Sequence, residues 1–303
     1  MANNVFIGTD STWTTVSNWS TGAAPVATET VFLTAMATNL TASLNQASIL
    51  LARLNLDMSF TGPVGVNSSL NAYTYLQIGA TVASLGLPAP GNATTTGTRL
   101  FNWDAGTNST TINVINTANA GTGAGQAPVK LLGTAMTINL VNGIISVAAK
   151  ATETATVLAL NVEAGPGSIA PQAYIGPGCT VTTLNQQGAG SVTSASQALL
   201  TTATVAGANA SLTHLGTAGI GALNIYKAGV VTYNGSGSVN TMFCAGVLDC
   251  TGGGSSFTIG SCTLTLGAKI LDPLRRITFT NPPVLLGCTL NDITVNRGTG
   301  GAF

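Results

Sequence analysis

Charged side chains are scarce in this sequence. Nine Lys and Arg balance nine Asp and Glu, so charged residues make up 6% of the 303 residues, against about 25% in an average domain. Proteins that bind nucleic acid or anionic membranes use clustered basic residues, whereas the only adjacent basic pair here is Arg275-Arg276. The composition therefore argues against nucleic acid and against a membrane as partners.

Metal ligands and long apolar runs are also few. His214 is the only histidine and no Cys-x-x-Cys pair occurs, so no zinc site is expected. The sequence has no run of about 18 apolar residues, which a membrane-spanning helix requires.

Residues 1–5 lack the basic start of a secretory signal, so we expect synthesis in the cytosol. In that reducing compartment we expect buried free thiols at Cys179, Cys244, Cys250, Cys262 and Cys288.

Glycine and strand-forming residues are abundant instead. The chain has 37 glycines and 45% hydrophobic residues, which excludes a disordered protein. Over residues 203–271, short runs of alternating apolar and polar residues recur roughly every 7 to 12 residues and are separated by glycine. Alternation is typical of strands and the glycines are typical of turns.

This pattern predicts an all-β protein, and it favours a parallel β-helix, or β-solenoid, of about ten rungs. Most connections lack the two-residue turn of a tight hairpin, although an antiparallel β-sandwich remains the alternative. Residues 42–57 fit a short helix or a strand, and we favour a strand over residues 49–58. The predicted inward seam comprises Leu212, Leu223, Ile225, Val231, Val239, Leu248, Ile259 and Leu264.

Composition divides the chain into three segments. Residues 1–35 concentrate aromatic side chains and predict an N-terminal cap or anchor, residues 36–270 form the predicted solenoid, and residues 271–303 form a closing segment. A solenoid needs a cap over its open end, but tryptophan is also favoured at partner interfaces. The candidate partner-binding residues are therefore Phe6, Trp13, Trp19 and Phe32.

The N-terminal motif Asn18-Trp19-Ser20-x-Gly22-x2-Pro25, followed by residues 30–33, resembles the turn that precedes the first rung in autotransporter-type β-helix chains. The resemblance covers about 25 residues and implies a β-helix that starts shortly after the motif. The membrane-inserted barrel of that family has no counterpart in this sequence, so the resemblance does not extend to secretion.

Catalytic groups are too sparse to predict an enzyme. Polysaccharide cleavage on a β-helix uses converging carboxylates, and the acidic residues here are widely spaced. His214 has no Ser-Asp or Cys neighbour and is predicted to be an outward strand residue. Residues 252–254 carry three glycines without the basic residue of a phosphate loop, which predicts a turn. We predict no catalytic residue, no cofactor and no metal.

In its low charge and its strand pattern, the chain resembles the trimeric β-helix proteins that bacteriophages use as capsid cement, head decoration or fibres. That resemblance implies a non-enzymatic homotrimer in the virion, made in the host cytoplasm, with the major capsid protein or another particle subunit as partner. One alternative is a glycan-binding or glycan-cleaving spike with a groove lined by Tyr226, Tyr233 and Asp249. A secreted bacterial adhesin is the other.

Overall fold

The computed structural model describes residues 2–36, 38–67, 73–86, 100–116, 127–163, 170–195, 197 and 200–298. In these residues the protein is all-β, with short 3-10 turns at Val16–Asn18 and Leu290–Asp292. No helix among them has the length and apolar content to cross a membrane. The strands are β1 (Asn3–Phe6), β2 (Thr30–Leu33), β3 (Asn45–Leu56), β4 (Val66–Asn67), β5 (Tyr73–Thr74), β6 (Leu76–Gly86), β7 (Phe101–Asp104), β8 (Thr110–Asn116), β9 (Val129–Leu140), β10 (Ile144–Val147), β11 (Ala155–Glu163), β12 (Gln172–Ile175), β13 (Cys179–Gln187), β14 (Gly190–Ser194), β15 (Leu200–Ala206), β16 (Ala210–His214), β17 (Ile220–Ile225), β18 (Val230–Tyr233), β19 (Val239–Cys244), β20 (Val247–Asp249), β21 (Phe257–Leu264), β22 (Lys269–Leu271), β23 (Ile277–Phe279), β24 (Val284–Leu285) and β25 (Thr294–Asn296).

Parallel pairing organises these strands into two continuous ladders. Ladder A runs β1, β2, β3, β6, β8, β9, β11, β13, β15, β17, β19 and β21, and ends on β23 and β24. Ladder B runs from the start of β6 through β7, β9, β10, β12, β14, β16, β18, β20, β22 and β25. The long strand β9 pairs in both ladders, so it joins them directly.

Successive strands of a ladder pair in parallel, and the later strand follows in the sequence after a further stretch of chain. Thr202 pairs with Ala222, 20 residues later, whereas Val82 pairs with Thr111, 29 residues later. Among the described strands, the only antiparallel pair is β4 with β5. The antiparallel β-sandwich is therefore wrong, because the glycine turns carry the chain onward to a parallel neighbour instead of back along the preceding strand.

Alternation places one side of each ladder in a common apolar core. All eight residues of the predicted seam are buried, and Leu212, Val231 and Leu248 are successive register partners in ladder B. Burying each such side chain is worth about 1.5–3 kcal/mol. The strand predicted over residues 49–58 is confirmed by β3, which ends two residues earlier and pairs on both sides.

Aromatic rings close the N-terminal end of this core. Trp19 makes edge-to-face contacts with Phe6 at 5.3 Å and with Trp13 at 4.8 Å between ring centroids. The Trp19 Nε1 donates to the Trp13 carbonyl oxygen at 2.7 Å. Because edge-to-face packing and burial both stabilise such rings, this cluster acts as a plug. The sheet itself continues across residue 35 through β2 and β3, and across residue 270 through β22.

Candidate functional site

The outward side of ladder A, which we call outer face A, is a long and regular surface. It consists of two columns of register partners, and none of their side chains is fully buried. The first column is Arg53, Val82, Thr111, Thr137, Ala159, Thr183, Thr202, Ala222, Thr241 and Ser261. The second column is Phe32, Asn55, Ser84, Asn113, Asn139, Asn161, Asn185, Thr204, Asn224, Phe243 and Thr263.

The two columns of outer face A are almost free of charge, although the exposed Glu163 lies beside them, two residues beyond Asn161 on β11. Arg53, at its N-terminal end, is the only ionisable side chain in the two columns. The rest are mostly threonine, asparagine and alanine, which are short and neutral. At about 4.8 Å per strand the face is roughly 50 Å long, so it offers a long surface that a partner can approach without desolvating ions.

Four asparagines in the second column are joined by hydrogen bonds between their side chains. The Nδ2 of Asn139 donates to the Oδ1 of Asn113 at 2.9 Å, and Asn161 donates to Asn139 at 2.8 Å. Asn185 donates to Asn161 at 3.0 Å. The amides are thus held in one orientation before any partner binds, which reduces the entropy lost on association.

Apolar side chains lie at both ends of outer face A. At one end, Phe32 lines a cleft of about 320 Å³ together with the exposed side chains of Met58 and Ile115. At the other end, Tyr226 contacts Phe243 with 5.4 Å between ring centroids. Half-exposed aromatic rings of this kind are favoured at interfaces, so the neutral strip ends in an apolar contact on each side.

The predicted partner-binding residues separate into two groups. Phe32 is half-buried and belongs to outer face A. Phe6, Trp13 and Trp19 are at most 1% exposed, so the expectation that these three rings insert into a partner needs correction. They plug the N-terminal end of the core, because burying these large rings stabilises the protein more than exposing them to solvent.

The predicted glycan groove is not assembled. Tyr226 lies beside outer face A, whereas Tyr233 is buried inside ladder B, where its hydroxyl donates to the Gly237 carbonyl. Asp249 lies on the outward side of ladder B and accepts hydrogen bonds from Thr251. These three residues therefore do not converge, because alternation along β18 points Tyr233 into the core.

His214 is buried, and the prediction that it faces outward is wrong. It follows the inward residue Leu212 by two positions, so strand alternation brings it to the same side. Its Nε2 lies 3.0 Å from the Ala218 carbonyl oxygen and its ring lies 4.9 Å from that of Tyr233. Burial lowers the pKa of His214, so a neutral ring fills this part of the core.

The predicted burial of the thiols is confirmed for four of the five cysteines. Burial raises the pKa of Cys179, Cys250 and Cys262 to about 12 and that of Cys244 to about 11. Cys288 is half-buried. Protonated, enclosed thiols are poor nucleophiles, so these residues serve packing. In the described part of the chain, no three His, Cys, Asp or Glu side chains cluster as metal ligands.

A second apolar surface lies at the C-terminal end of the core. Phe279, Leu285, Leu290 and Ile293 line a cleft of about 660 Å³, and Arg297 lies among the lining residues. The side chains that line this cleft form the last layer of the core, and no strand of the described residues lies beyond them.

The hydrogen-bonded asparagines were missed at the sequence level, although a signal was present. The tripeptides Thr-Ile-Asn, Thr-Ile-Asn, Ala-Leu-Asn, Thr-Leu-Asn and Ala-Leu-Asn end at Asn113, Asn139, Asn161, Asn185 and Asn224. Spacings between the consecutive copies vary, so a fixed-period search does not align them.

Compared with protein-family models, curated proteins and solved structures, the chain shows no match.

Proposed function

We propose that the two ladders are the walls of a right- or left-handed β-solenoid, a parallel β-helix with one rung per pass of the chain. Parallel pairing with a displacement of 20 residues between Thr202 and Ala222 supports this proposal, as does a core shared by both ladders. A parallel neighbour cannot be reached through a tight hairpin, so each pass must travel around the core before it pairs again.

We propose further that the protein is a non-enzymatic structural component of a virus particle, a homotrimeric capsid cement or decoration protein that contacts the major capsid protein. The observation that carries this proposal is the neutral, preordered strip of outer face A. Three copies would pack side by side through this strip. A rigid trimer presents the same weak capsid contact three times, which raises the total affinity by avidity.

The chemistry of the strip suits contact between identical chains. Two copies of a charged face repel each other, whereas threonine and asparagine columns bring no like charges together. Asparagine and threonine retain hydrogen-bonding capacity toward a partner, and the threonine methyl groups add apolar contact. With almost no charge to desolvate, the association depends on shape and hydrogen bonds along the length of the face.

The proposal is tested by placing charge on one face and leaving the other as a control. We expect the wild type to sediment or scatter light as a trimer, and the Thr183→Lys/Thr202→Lys variant to be a monomer. Thr193→Lys/Thr213→Lys puts two lysines at neighbouring positions on the outward side of ladder B and should stay trimeric. A trimer in all three proteins would refute contact through outer face A, and a monomeric wild type would refute the trimer.

Glycan binding is the second candidate, and the pair Tyr226 and Phe243 favours it. Aromatic rings beside the amide of Asn224 could hold a sugar, and Asn224 is the register partner of Phe243. We expect glycan-array binding to be lost in Tyr226→Ala if this function is correct. A binding-deficient Tyr226→Ala protein that keeps its oligomeric state would favour the glycan function of this end of the face.

A further inference from the structure

A buried lysine and a buried asparagine face each other on the outward side of ladder B. Asn102 on β7 and Lys130 on β9 are register partners in neighbouring parallel strands. Their exposed fractions are 0% and 1%, although later residues of the same column, such as Thr193 and Thr213, are half-exposed. This part of the outward face is therefore covered.

The cover is the hairpin of β4 and β5. The Asn102 Nδ2 donates to the Thr74 carbonyl oxygen at 3.1 Å, and the Lys130 Nζ lies 5.0 Å from the centroid of the Tyr73 ring. The hairpin comes so close that a Cβ on Gly65 would lie 2.9 Å from the Asn102 Cβ. Because neighbouring strands are about 4.8 Å apart, the two buried side chains start side by side under this cover.

A half-exposed carboxylate lies beside the covered region. Glu153 accepts a hydrogen bond from the Tyr75 hydroxyl at 2.7 Å and one from the Lys150 backbone at 3.0 Å. Burial lowers the pKa of Lys130 to about 8, although the charge of Glu153 acts in the opposite direction. A neutral amine, the form that attacks carbonyl carbon, is therefore accessible near neutral pH.

We propose that Lys130 and Asn102 join in an intramolecular isopeptide bond, with Glu153 as the proton-transfer group. The neutral Nζ attacks the Asn102 Cγ and forms the new C–N bond. Glu153 accepts a proton from Nζ and returns a proton to Nδ2, so the Cγ–Nδ2 bond breaks and ammonia leaves. The products are one secondary amide and one ammonia molecule, and the reaction needs no oxidant, reductant or cofactor.

The geometry supplies what this reaction needs. Register pairing places the two residues side by side on neighbouring strands, so the reaction is intramolecular and replaces a bimolecular encounter. The hairpin excludes water, so hydrolysis does not compete. At present the Lys130 Nζ donates to the Ala127 carbonyl oxygen at 2.8 Å, and rotation of its flexible stem brings it to Asn102. The bond would clamp β7 to β9, the strand that joins the two ladders.

Intact-mass spectrometry of the purified full chain tests the proposal. We expect a mass lower than that of the sequence by one ammonia molecule, and a peptide map with Asn102 linked to Lys130. A mass equal to that of the sequence would overturn the proposal. Succinimide formation at Asn142-Gly143 or Asn234-Gly235 also releases ammonia, so a deficit that maps to those sites would overturn it too.

Variants separate the role of each group. Lys130→Arg keeps the positive charge and should show the full sequence mass. Glu153→Gln should slow the loss of ammonia at least tenfold, and an unchanged rate would refute its role in proton transfer. Lys150→Arg is the matched control, because the Lys150 Nζ also lies on the Tyr73 ring, at 3.6 Å. It should retain the mass deficit and the link between Asn102 and Lys130. A link to Lys150 instead of Lys130 in the wild-type map would contradict the proposal.

Discussion

The outward sides of the two ladders are built by the same parallel pairing, but they differ in what covers them. The two columns of outer face A are open and nearly neutral, and four of their six asparagines bond to one another along the column. On ladder B, a hairpin returns over β7 and β9 and buries Asn102 and Lys130. The difference lies in the segment between β3 and β6 that carries β4 and β5. Two ladders of similar strands therefore acquire distinct surfaces through the segments that pack over them.

Raising the pH should lower the free energy of unfolding more than any other change considered, because four buried thiols must ionise. The size of this loss measures how well the core behind outer face A excludes water. Burial raises the pKa of Cys179, Cys244 and Cys262 on ladder A and of Cys250 on ladder B, from 9.0 to about 11–12. The unfolded thiols ionise first, so stability is complete below about pH 9 and is lost as the pH rises from there. We expect a loss of about 5 kcal/mol in the free energy of unfolding at pH 10.

This loss can be assigned to individual thiols by urea unfolding at pH 8 and pH 10. Cys262→Val should remove about a quarter of the loss, roughly 1 kcal/mol. Ile259→Val on the same strand carries no ionisable group and should keep the wild-type pH dependence. Equal pH dependence in Cys262→Val and the wild type would mean that water reaches this thiol in the folded protein.

An intermediate effect should distinguish the covered tyrosine from the open one. Tyr75 is half-buried and bonds to Glu153, whereas Tyr226 is 46% exposed. Tyr75→Ala should lower the free energy of unfolding by about 2 kcal/mol, because it removes ring packing and a hydrogen bond. Tyr226→Ala should cost about 0.5 kcal/mol or less. Equal losses in denaturant titrations would contradict the difference between the two faces.

The smallest effect should come from outer face A itself. Asn161→Ala breaks two side-chain hydrogen bonds, to Asn139 and from Asn185, and should lower the free energy of unfolding by about 1 kcal/mol. Asn224→Ala, in the same column, should cost only a few tenths of that. If the two variants are equally stable in urea, the hydrogen bonds between the asparagines do not contribute to the free energy of unfolding.

The strands could largely be predicted from the sequence, whereas their partners could not. Alternation between glycine turns is strongest over residues 203–271, and all eight predicted seam residues there are buried. The helix or strand ambiguity over residues 42–57 was settled by pairing of β3 with β2 and β6. Pairing is nonlocal and short-range propensity carries no information about it, so the parallel arrangement could only be favoured over the sandwich.

Of the candidate partner-binding residues, only Phe32 lies on outer face A. The composition around Trp13 and Trp19 favoured a cap over an anchor without excluding the anchor, and their burial separates the two. The asparagine column depends on register, because Asn139 and Asn161 become neighbours only when turns of unequal length bring them into line. The burial of His214 could not be predicted for a similar reason. Its ring nitrogen finds a hydrogen-bond partner inside the core only because the loop places the Ala218 carbonyl there.

The position of the proposed contact surface is tested most directly by distances between spin labels in neighbouring protomers. Labels would be attached to Thr202→Cys on outer face A or to Thr213→Cys on ladder B, each with Cys288→Ser to remove the half-buried native thiol. Contact through outer face A predicts a short, narrow distance distribution between labels at position 202, and longer distances at position 213. Absence of dipolar coupling at position 202, or a shorter distance at position 213, would contradict it.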